Sequence, residues 1–194
     1  MIFNSNIIEN NIKKKIEETE KKHNVKLSTA QKIVLSTNGP LSSIISALYG
    51  DIHLFALKQR FEKANEETAK KVGVNEGDEV HHREIIVHKH GRPLMYALSH
   101  LPKSRCSEEM IEDLVEEKLV LGTIIFKHRI ETFREITDIS IEKPSPTLKE
   151  LFQTDEDMLT REYTMTHNGE ILIWTKEAYP ISYFTDKIGW WHGR

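Results

Sequence analysis

The sequence predicts an α+β protein built on an antiparallel sheet of about six strands with inserted helices. Two hairpin signals carry this prediction. Strand-like runs flank a turn at 90–93 within the segment 79–102, and two more flank Asn168-Gly169 within the segment 160–179. Asn-Gly between alternating apolar residues is a strong signal for a two-residue turn. Further strand-like runs at 51–61 and 129–141 bring the number to six, and strands joined mostly by hairpins pair antiparallel.

Three helices are predicted before the first strand. The segment 7–22 spaces its isoleucines helically and interleaves lysines with glutamates. Ser28 is a good N-cap for a second helix that ends near Ser36, and a third helix runs from Leu41 to Gly50. Later helices are expected at 65–72 and 107–119. We expect one domain over residues 1–194, with 1–26 as an N-terminal helical extension.

Composition limits the classes of function. The net charge of −3 does not indicate a broad nucleic-acid-binding surface, and no apolar run approaches the ~20 residues of a membrane span. The N-terminus lacks the pattern of a signal peptide, and the single cysteine, Cys106, excludes an intramolecular disulfide. Cys106 has no flanking nucleophile motif, so packing is its expected role. We therefore expect a cytoplasmic protein, and the oligomeric state stays open.

Two charged residues share strand faces with apolar neighbours. Arg83 alternates with Ile85 and Val87, and Glu177 lies in line with apolar residues of the last strand, which are Ile171, Ile173 and Tyr179. Burial disfavours an ionised carboxyl whereas a nearby arginine favours it. That tension can hold a carboxyl near neutral pH as a proton donor. The alternative for both residues is a charge that points into solvent.

Two other site hypotheses follow from local patterns. The helices on either side of Asn38-Gly39 have the layout of a helix-turn-helix DNA reader, but the second helix carries no lysine or arginine, which favours two packing helices. Imidazoles bind metals, and five histidines lie within twenty residues: His81, His82, His88, His90 and His100. In an unbroken strand His82, His88 and His90 share a face. Solvent-facing histidines beside a hairpin are the alternative, and no metal is expected.

Three runs together carry a family resemblance: HHREIIVHKHGRPLMYALSHLP, LGTIIF and NGEILIWTKEAYP, in this order. They resemble the chorismate lyase family, in particular a little-characterised prokaryotic branch, over about residues 27–183. The resemblance implies a six-stranded antiparallel sheet with inserted helices. It also implies cleavage of chorismate to 4-hydroxybenzoate and pyruvate without a metal or cofactor.

The resemblance also implies site residues. Arg83 corresponds to the arginine that binds the substrate carboxylate, a task that suits the guanidinium fork. Glu177 corresponds to the glutamate at the reacting oxygen, where it acts as a general acid. The backbone N–H of Leu121, before Gly122, corresponds to a second contact with the carboxylate. Leu41 is the nearest match to a residue that covers the ring.

The chain departs from the family pattern at particular positions. An ungapped count from the Asn-Gly turn puts Lys176 in the glutamate position. Glu177 is preferred because Tyr179 then matches an aromatic residue, which requires a one-residue bulge or loop difference. Val120 stands where better-known lyases have proline. A non-catalytic module that senses a small aromatic acid, as in effector domains of transcription regulators, is the alternative function.

Overall fold

The computed structural model describes residues 6–115 and 121–185, which form seven α-helices and one six-stranded sheet. The helices are α1 (Asn6–His23), α2 (Thr29–Ser36), α3 (Leu41–Tyr49), α4 (Glu66–Val72), α5 (Glu108–Val115), α6 (Leu121–Lys127) and α7 (Pro146–Phe152). The strands are β1 (His53–Lys63), β2 (Glu79–Lys89), β3 (Arg92–Pro102), β4 (Phe133–Glu142), β5 (Met158–His167) and β6 (Glu170–Pro180).

The sheet joins two hairpins side by side. Its strand order is β1-β2-β3-β6-β5-β4, and each neighbouring pair is antiparallel. The hairpins β2–β3 and β5–β6 meet where residues 96–100 pair with residues 174–178. We call this β3–β6 pairing the seam. The predicted α+β class and the six-stranded antiparallel sheet are confirmed.

Both hairpin turns have two residues with positive φ. His90 and Gly91 have φ of 49° and 79°, and Asn168 and Gly169 have φ of 51° and 81°. Positive φ at both central positions matches the right-handed twist of the flanking strands and favours asparagine and glycine. The first turn is therefore shorter than predicted, since β3 already begins at Arg92.

Helices cover the two faces of the sheet unequally. The main core lies between the sheet and α1, α2, α3, α5 and α6, with residues such as Leu35, Ile45 and Ile124 at 0% exposure. A smaller cluster under α4 contains Val80 and Trp174, and another contains Phe152 of α7. Helix α1 also donates a hydrogen bond to edge strand β4, from its Thr19 hydroxyl to the Ile139 carbonyl at 2.7 Å.

Two helices differ from the predictions. The apolar run at 120–126 was assigned no type, and its described part begins α6. The prolines and serine of the segment 143–146 predict a loop, but α7 already begins at Pro146. Ser145 accepts a hydrogen bond from the Leu148 backbone N–H, and Pro146 suits the first helical turn. Residues 116–120 and the predicted packing of the C-terminal tryptophans lie outside the described residues. Among the described helices, none has the length and apolar character to cross a membrane.

Candidate active site

A cavity lies on the main-core face of the sheet, beside the seam. About 60 Å³ is free inside it, which is room for a few water molecules. The strands β2, β3, β5 and β6 supply its floor, β4 supplies one side, and α3 and α6 cover it. Its polar and charged lining residues are Ser42, Arg83, Ser99, Arg134, Tyr163, Thr175 and Glu177.

Arg83 and Glu177 reach this cavity from different hairpins. Arg83 is 1% exposed and lines the cavity with Ile85 and Val87, the neighbours that strand alternation assigned to its face. Glu177 is 3% exposed and lies on β6. The two strands are bridged across β3, where the hydroxyls of Ser99 and Thr175 are 3.0 Å apart.

Glu177 has a buried partner that the sequence analysis did not name. The Nε of Arg161 donates to Glu177 Oε2 at 2.5 Å, and the Tyr163 hydroxyl donates to Oε1 at 3.2 Å. The Nη1 of Arg161 donates to the carbonyls of Val34 (2.8 Å) and Thr37 (3.0 Å), at the end of α2. Burial alone lowers the pKa of a guanidinium, but the charge of Glu177 outweighs this, so the pKa of Arg161 is raised.

The Arg161 contact gives Glu177 a different electrostatic environment from the apolar one that the sequence predicts. Apolar neighbours alone favour a protonated Glu177, whereas a buried cation in contact stabilises the ionised carboxylate. Burial also raises the pKa of Tyr163, whose protonated hydroxyl donates to that carboxylate. The Glu177 carboxylate is therefore held by a buried ion pair and by a phenolic hydrogen bond.

A bulge in β6 decides which residue faces the cavity. Met165 pairs with Ile173 and Thr166 with Ile171, so Leu172 is an extra residue between them. This bulge sets Glu177 opposite Arg161. Strand alternation predicted that Ile171 shares a face with Glu177, and this prediction is wrong. The bulge reverses the alternation at Leu172, and Ile171 packs with the cluster under α4 on the other face.

Lys176 points away from the cavity. Its ammonium group donates to both carboxylate oxygens of Glu142, at 2.7 and 2.8 Å, and lies 3.3 Å from Glu162. Neighbouring residues of a strand project to opposite faces, which agrees with the position of Glu177 in the cavity lining.

Arg134 is a second cation in the cavity lining, and it too was not named from sequence. Its Nη1 donates to the Gly39 carbonyl at 2.7 Å, and its guanidinium lies 4.3 Å from the centre of the Tyr163 ring. Its Nε is buried and has no hydrogen-bond partner among residues 6–115 and 121–185. The cavity therefore holds a donor that a ligand can satisfy.

Two helix starts form a lid over the cavity. We use this name for Pro40, which precedes α3, and Leu41 of α3 together with Leu121 and Gly122 of α6, all of which line the cavity. A Cβ added to Gly122 would lie 3.7 Å from Pro40, so the two halves of the lid are in near contact. Leu41 and Leu121 are thus placed together with Arg83 and Glu177.

The helix-turn-helix and nucleophile hypotheses gain no support. Helix α2 buries Leu35, whereas α3 buries Leu41 and Ile45, borders the cavity and carries no basic residue. Burial raises the pKa of Cys106 to about 11. A thiol that stays protonated at neutral pH is a poor nucleophile.

The five histidines do not form one group. His82 and His100 lie on paired positions of β2 and β3, with ring centres 5.1 Å apart. His90 is exposed in the turn, and a register shift between Val87 and His88 interrupts the alternation on which the shared face was based.

The fold and the cavity define a class: α+β domains in which an antiparallel sheet and inserted helices enclose a cavity. A family model described as "Chorismate pyruvate-lyase Rv2949c-like" matches residues 35–185. The chain belongs to this family. It is also 30% identical over 162 residues to Putative lyase MJ0807 of Methanocaldococcus jannaschii. This alignment covers 80% of each chain.

Solved structures with this fold include regulators of transcription. A GntR-family transcriptional regulator from Bacillus cereus aligns with a TM-score of 0.57 at 15% identity, covering 66% of this chain and 91% of that one. PhnF from Mycobacterium smegmatis aligns with a TM-score of 0.62 at 16% identity, covering 75% and 65%. The C-terminal domain of a histidine utilization repressor from Pseudomonas syringae has a TM-score of 0.57 at 14% identity, covering 67% and 92%. These likenesses show the shared fold.

Proposed function

We propose that this protein is a lyase that cleaves chorismate to 4-hydroxybenzoate and pyruvate in the cavity beside the seam. The observation that carries the proposal is that Arg83 and Glu177, which reach the cavity from different hairpins, line it together. Membership of a family described by chorismate pyruvate-lyase activity supports the choice of substrate.

The charges of the cavity suit a dicarboxylate. Chorismate carries one carboxylate on its ring and one on its enolpyruvyl group. Arg83 binds the ring carboxylate through its guanidinium fork, with the Leu121 amide as a further donor. Arg134 binds the enolpyruvyl carboxylate, and its buried Nε supports this role. Leu41 covers the ring from the lid.

The reaction needs one proton to leave and one to arrive. The hydrogen at the hydroxyl-bearing ring carbon departs as a proton, and its electron pair enters the ring. The neighbouring ether C–O bond breaks, and its electron pair leaves with the enolpyruvyl oxygen. The enol carbon then takes up a proton and becomes the methyl group of pyruvate. The ring becomes aromatic, which drives the elimination, and no redox partner is consumed.

Glu177 is the group that moves this proton. Its carboxylate, which accepts a hydrogen bond from Arg161, first takes up the proton released from the ring. The resulting carboxylic acid then acts as the general acid toward the departing enolpyruvyl group, a contribution of about 10²–10⁴-fold in rate. Arg83 and Arg134 hold the substrate so that both steps occur at a fixed distance from Glu177.

Substrate entry requires the lid to move. The free volume of about 60 Å³ is smaller than an aromatic acid needs, so Leu41 and Leu121 must separate. Closure over the bound substrate then excludes water and strengthens the ionic contacts inside.

The test is turnover of chorismate by the purified protein. Pyruvate is followed with lactate dehydrogenase and NADH, and 4-hydroxybenzoate by chromatography; we expect both in equal amounts. Arg83→Met and Arg134→Met should each lose most of kcat/KM, with the loss in Arg134→Met seen mainly in KM. Lys176→Met, a cation removed from the opposite face, is the matched control. Tight binding of 4-hydroxybenzoate without any pyruvate release would overturn the lyase proposal in favour of a sensing module.

A further inference from the structure

A second group of ligating side chains lies on the sheet face opposite the cavity. His82 directly precedes Arg83 on β2, and neighbouring residues of a strand project to opposite faces, so His82 projects away from the cavity. Three adjacent strands contribute to this group, with Glu62 on β1, His82 on β2 and His100 on β3. One ligand atom from each lies within 4.8 Å of the others.

His82 is oriented by a carboxylate behind it. Its Nε2 lies 2.8 Å from Glu84 Oε1, and Glu84 Oε2 accepts a hydrogen bond from the Tyr96 hydroxyl at 2.8 Å. If Nε2 carries the proton, the lone pair of Nδ1 is directed at the other carboxylate, Glu62, whose Oε1 is 3.2 Å away. These two atoms are close but not aligned as a hydrogen bond, since His82 Nδ1 is buried without a hydrogen-bond partner in the described residues.

His100 completes the group from the buried side. It is 6% exposed, stacks on Trp174 with ring centres 5.5 Å apart, and its Nδ1 also has no hydrogen-bond partner among the described residues. Burial lowers the pKa of His100 to about 4, so its imidazole is neutral at physiological pH. Neutral imidazole is the form that ligates metals.

We propose that Glu62, His82 and His100 form a site for a divalent transition-metal ion of the zinc class. Two imidazole nitrogens and one carboxylate oxygen are a ligand set that suits zinc, with water in the fourth position. Ligand atoms of one tetrahedral ion lie roughly 3.3 Å apart for bonds of about 2.0 Å, a spacing that His82 and Glu62 already have. Glu84 behind His82 is the carboxylate that commonly orients a ligating histidine.

The competing arrangement is a His82 imidazole that contacts Glu62 and Glu84 directly, without an ion between them. Two cations nearby also oppose metal binding. Arg60 contacts Glu62 Oε2 at 2.5 Å, and the Lys71 ammonium lies 4.2 Å from the centre of the Trp174 ring. The Arg60 contact uses Oε2 and leaves Oε1 for the ion. The Glu62 side chain is 26% exposed, so it can swing toward the histidines.

The consequence of the site is structural. It ties edge strand β1 to β2 and β3, and it is separated from the cavity by the sheet itself. Metal binding should therefore stabilise the fold by an amount that rises with the logarithm of the free metal concentration above Kd. It should leave turnover in the cavity unchanged, so failure of this proposal is distinguishable from failure of the lyase proposal.

The experiment is a zinc titration of the chelator-treated protein against a chromophoric chelator, repeated with cobalt, whose visible absorption reports tetrahedral nitrogen and oxygen ligation. We expect one equivalent bound and a rise in Tm with zinc. The double variant His82→Gln/His100→Gln should bind at least ~100-fold more weakly. The control His88→Gln/His90→Gln removes two histidines from the same hairpin and should bind like the wild type.

Glu62→Gln keeps the proposal testable if the double histidine variant does not fold. It lies on the edge strand, preserves the shape of the side chain and should weaken zinc binding by ~10-fold or more. Equal zinc affinity of Glu62→Gln and wild type would overturn the proposal. Absence of stoichiometric binding by the wild type would also overturn it and would favour direct contacts of His82 with Glu62 and Glu84.

Discussion

At the scale of single residues, the candidate site is dominated by buried charge. Arg83, Arg161 and Glu177 are at most 3% exposed. Taking such groups out of water costs several kcal/mol per ion unless opposite charges and hydrogen bonds compensate. Arg161 compensates Glu177 and also donates to two carbonyls at the end of α2, so it links the Glu177 carboxylate to the helix that leads into the lid.

Loss of Arg161 should destabilise the protein strongly. Arg161→Met leaves the carboxylate of Glu177 buried without its cation, and we expect a loss of about 3–5 kcal/mol in the free energy of unfolding. Adding Glu177→Met should recover part of this loss, because the unpaired charge is then gone. Urea denaturation of the two single variants and the double variant measures the coupling.

Lys176→Met is the matched control for this experiment. Its ion pairs with Glu142 and Glu162 are partly exposed, so its loss should cost at most about 1 kcal/mol. If Arg161→Met lowers the free energy of unfolding as little as Lys176→Met does, the Arg161–Glu177 pair does not make the expected contribution to stability.

Glu177→Gln should separate binding from chemistry. The amide keeps the size of the side chain but cannot carry a proton through the reaction, so kcat should fall by about 10²–10⁴-fold. Affinity for 4-hydroxybenzoate, set by Arg83, should remain close to that of the wild type. Single-turnover rates and product titration measure the two effects, and a Glu177→Gln protein with wild-type kcat would refute the proton-transfer role.

Strand alternation explains what the sequence could predict about these residues. A period of two is enough to set Arg83 beside Ile85 and Val87. It could not identify Arg161, because a regular hairpin from the Asn-Gly turn pairs Glu177 with Thr160. Only the bulge at Leu172 moves Arg161 into that position. No local residue pattern marks this bulge, which is settled by packing of the two hydrophobic faces.

At the scale of secondary-structure elements, α2 is the element that positions the lid. The Ser28 hydroxyl accepts a hydrogen bond from the backbone N–H of Gln31. The side-chain oxygen of Gln31 in turn accepts from the backbone N–H of Ser28. The Gln31 side chain also donates to the Ile181 carbonyl at 2.7 Å, which fixes the helix to the chain after β6. The capping pattern predicted the helix start, whereas its anchorage required the tertiary structure.

Ser28→Ala should destabilise the protein by about 1–2 kcal/mol. It removes the cap of α2 and the hydrogen bond that the Ser28 hydroxyl donates to the Phe184 carbonyl at 2.9 Å. Ser36→Ala removes an exposed serine from the same helix and should change stability by less than about 0.5 kcal/mol. Thermal and urea unfolding measure both variants, and similar losses would contradict the importance given to the cap.

The helices α6 and α7 show where element prediction reached its limit. The apolar run of α6 is too short for its periodicity to distinguish a buried strand from a buried helix. In α7, the serine and prolines that read as a loop also supply an N-cap and a first turn. The choice between these readings depends on what the segment packs against, as in the contact of Gly122 with the other half of the lid.

At the scale of the whole molecule, the two hairpins must meet for the site to exist. Arg83 belongs to the first hairpin, whereas Glu177 and Arg161 belong to the second. The seam between them pairs residues 96–100 with 174–178, and the Ser99 and Thr175 hydroxyls meet within it. A ligand that contacts both hairpins and the lid is therefore bound by the folded state alone, which couples binding to stability.

Binding of 4-hydroxybenzoate should raise the unfolding free energy by about 2.7 kcal/mol when its concentration is 100 times Kd. Because the ligand joins both hairpins under the lid, amide hydrogen exchange should slow along the seam and at the start of α3, but not along edge strand β1. Arg83→Met should abolish both effects and still fold, since the carboxylate then lacks its main cation. Protection confined to β1, or equal stabilisation of wild type and Arg83→Met, would place the ligand elsewhere and remove the seam cavity as its site.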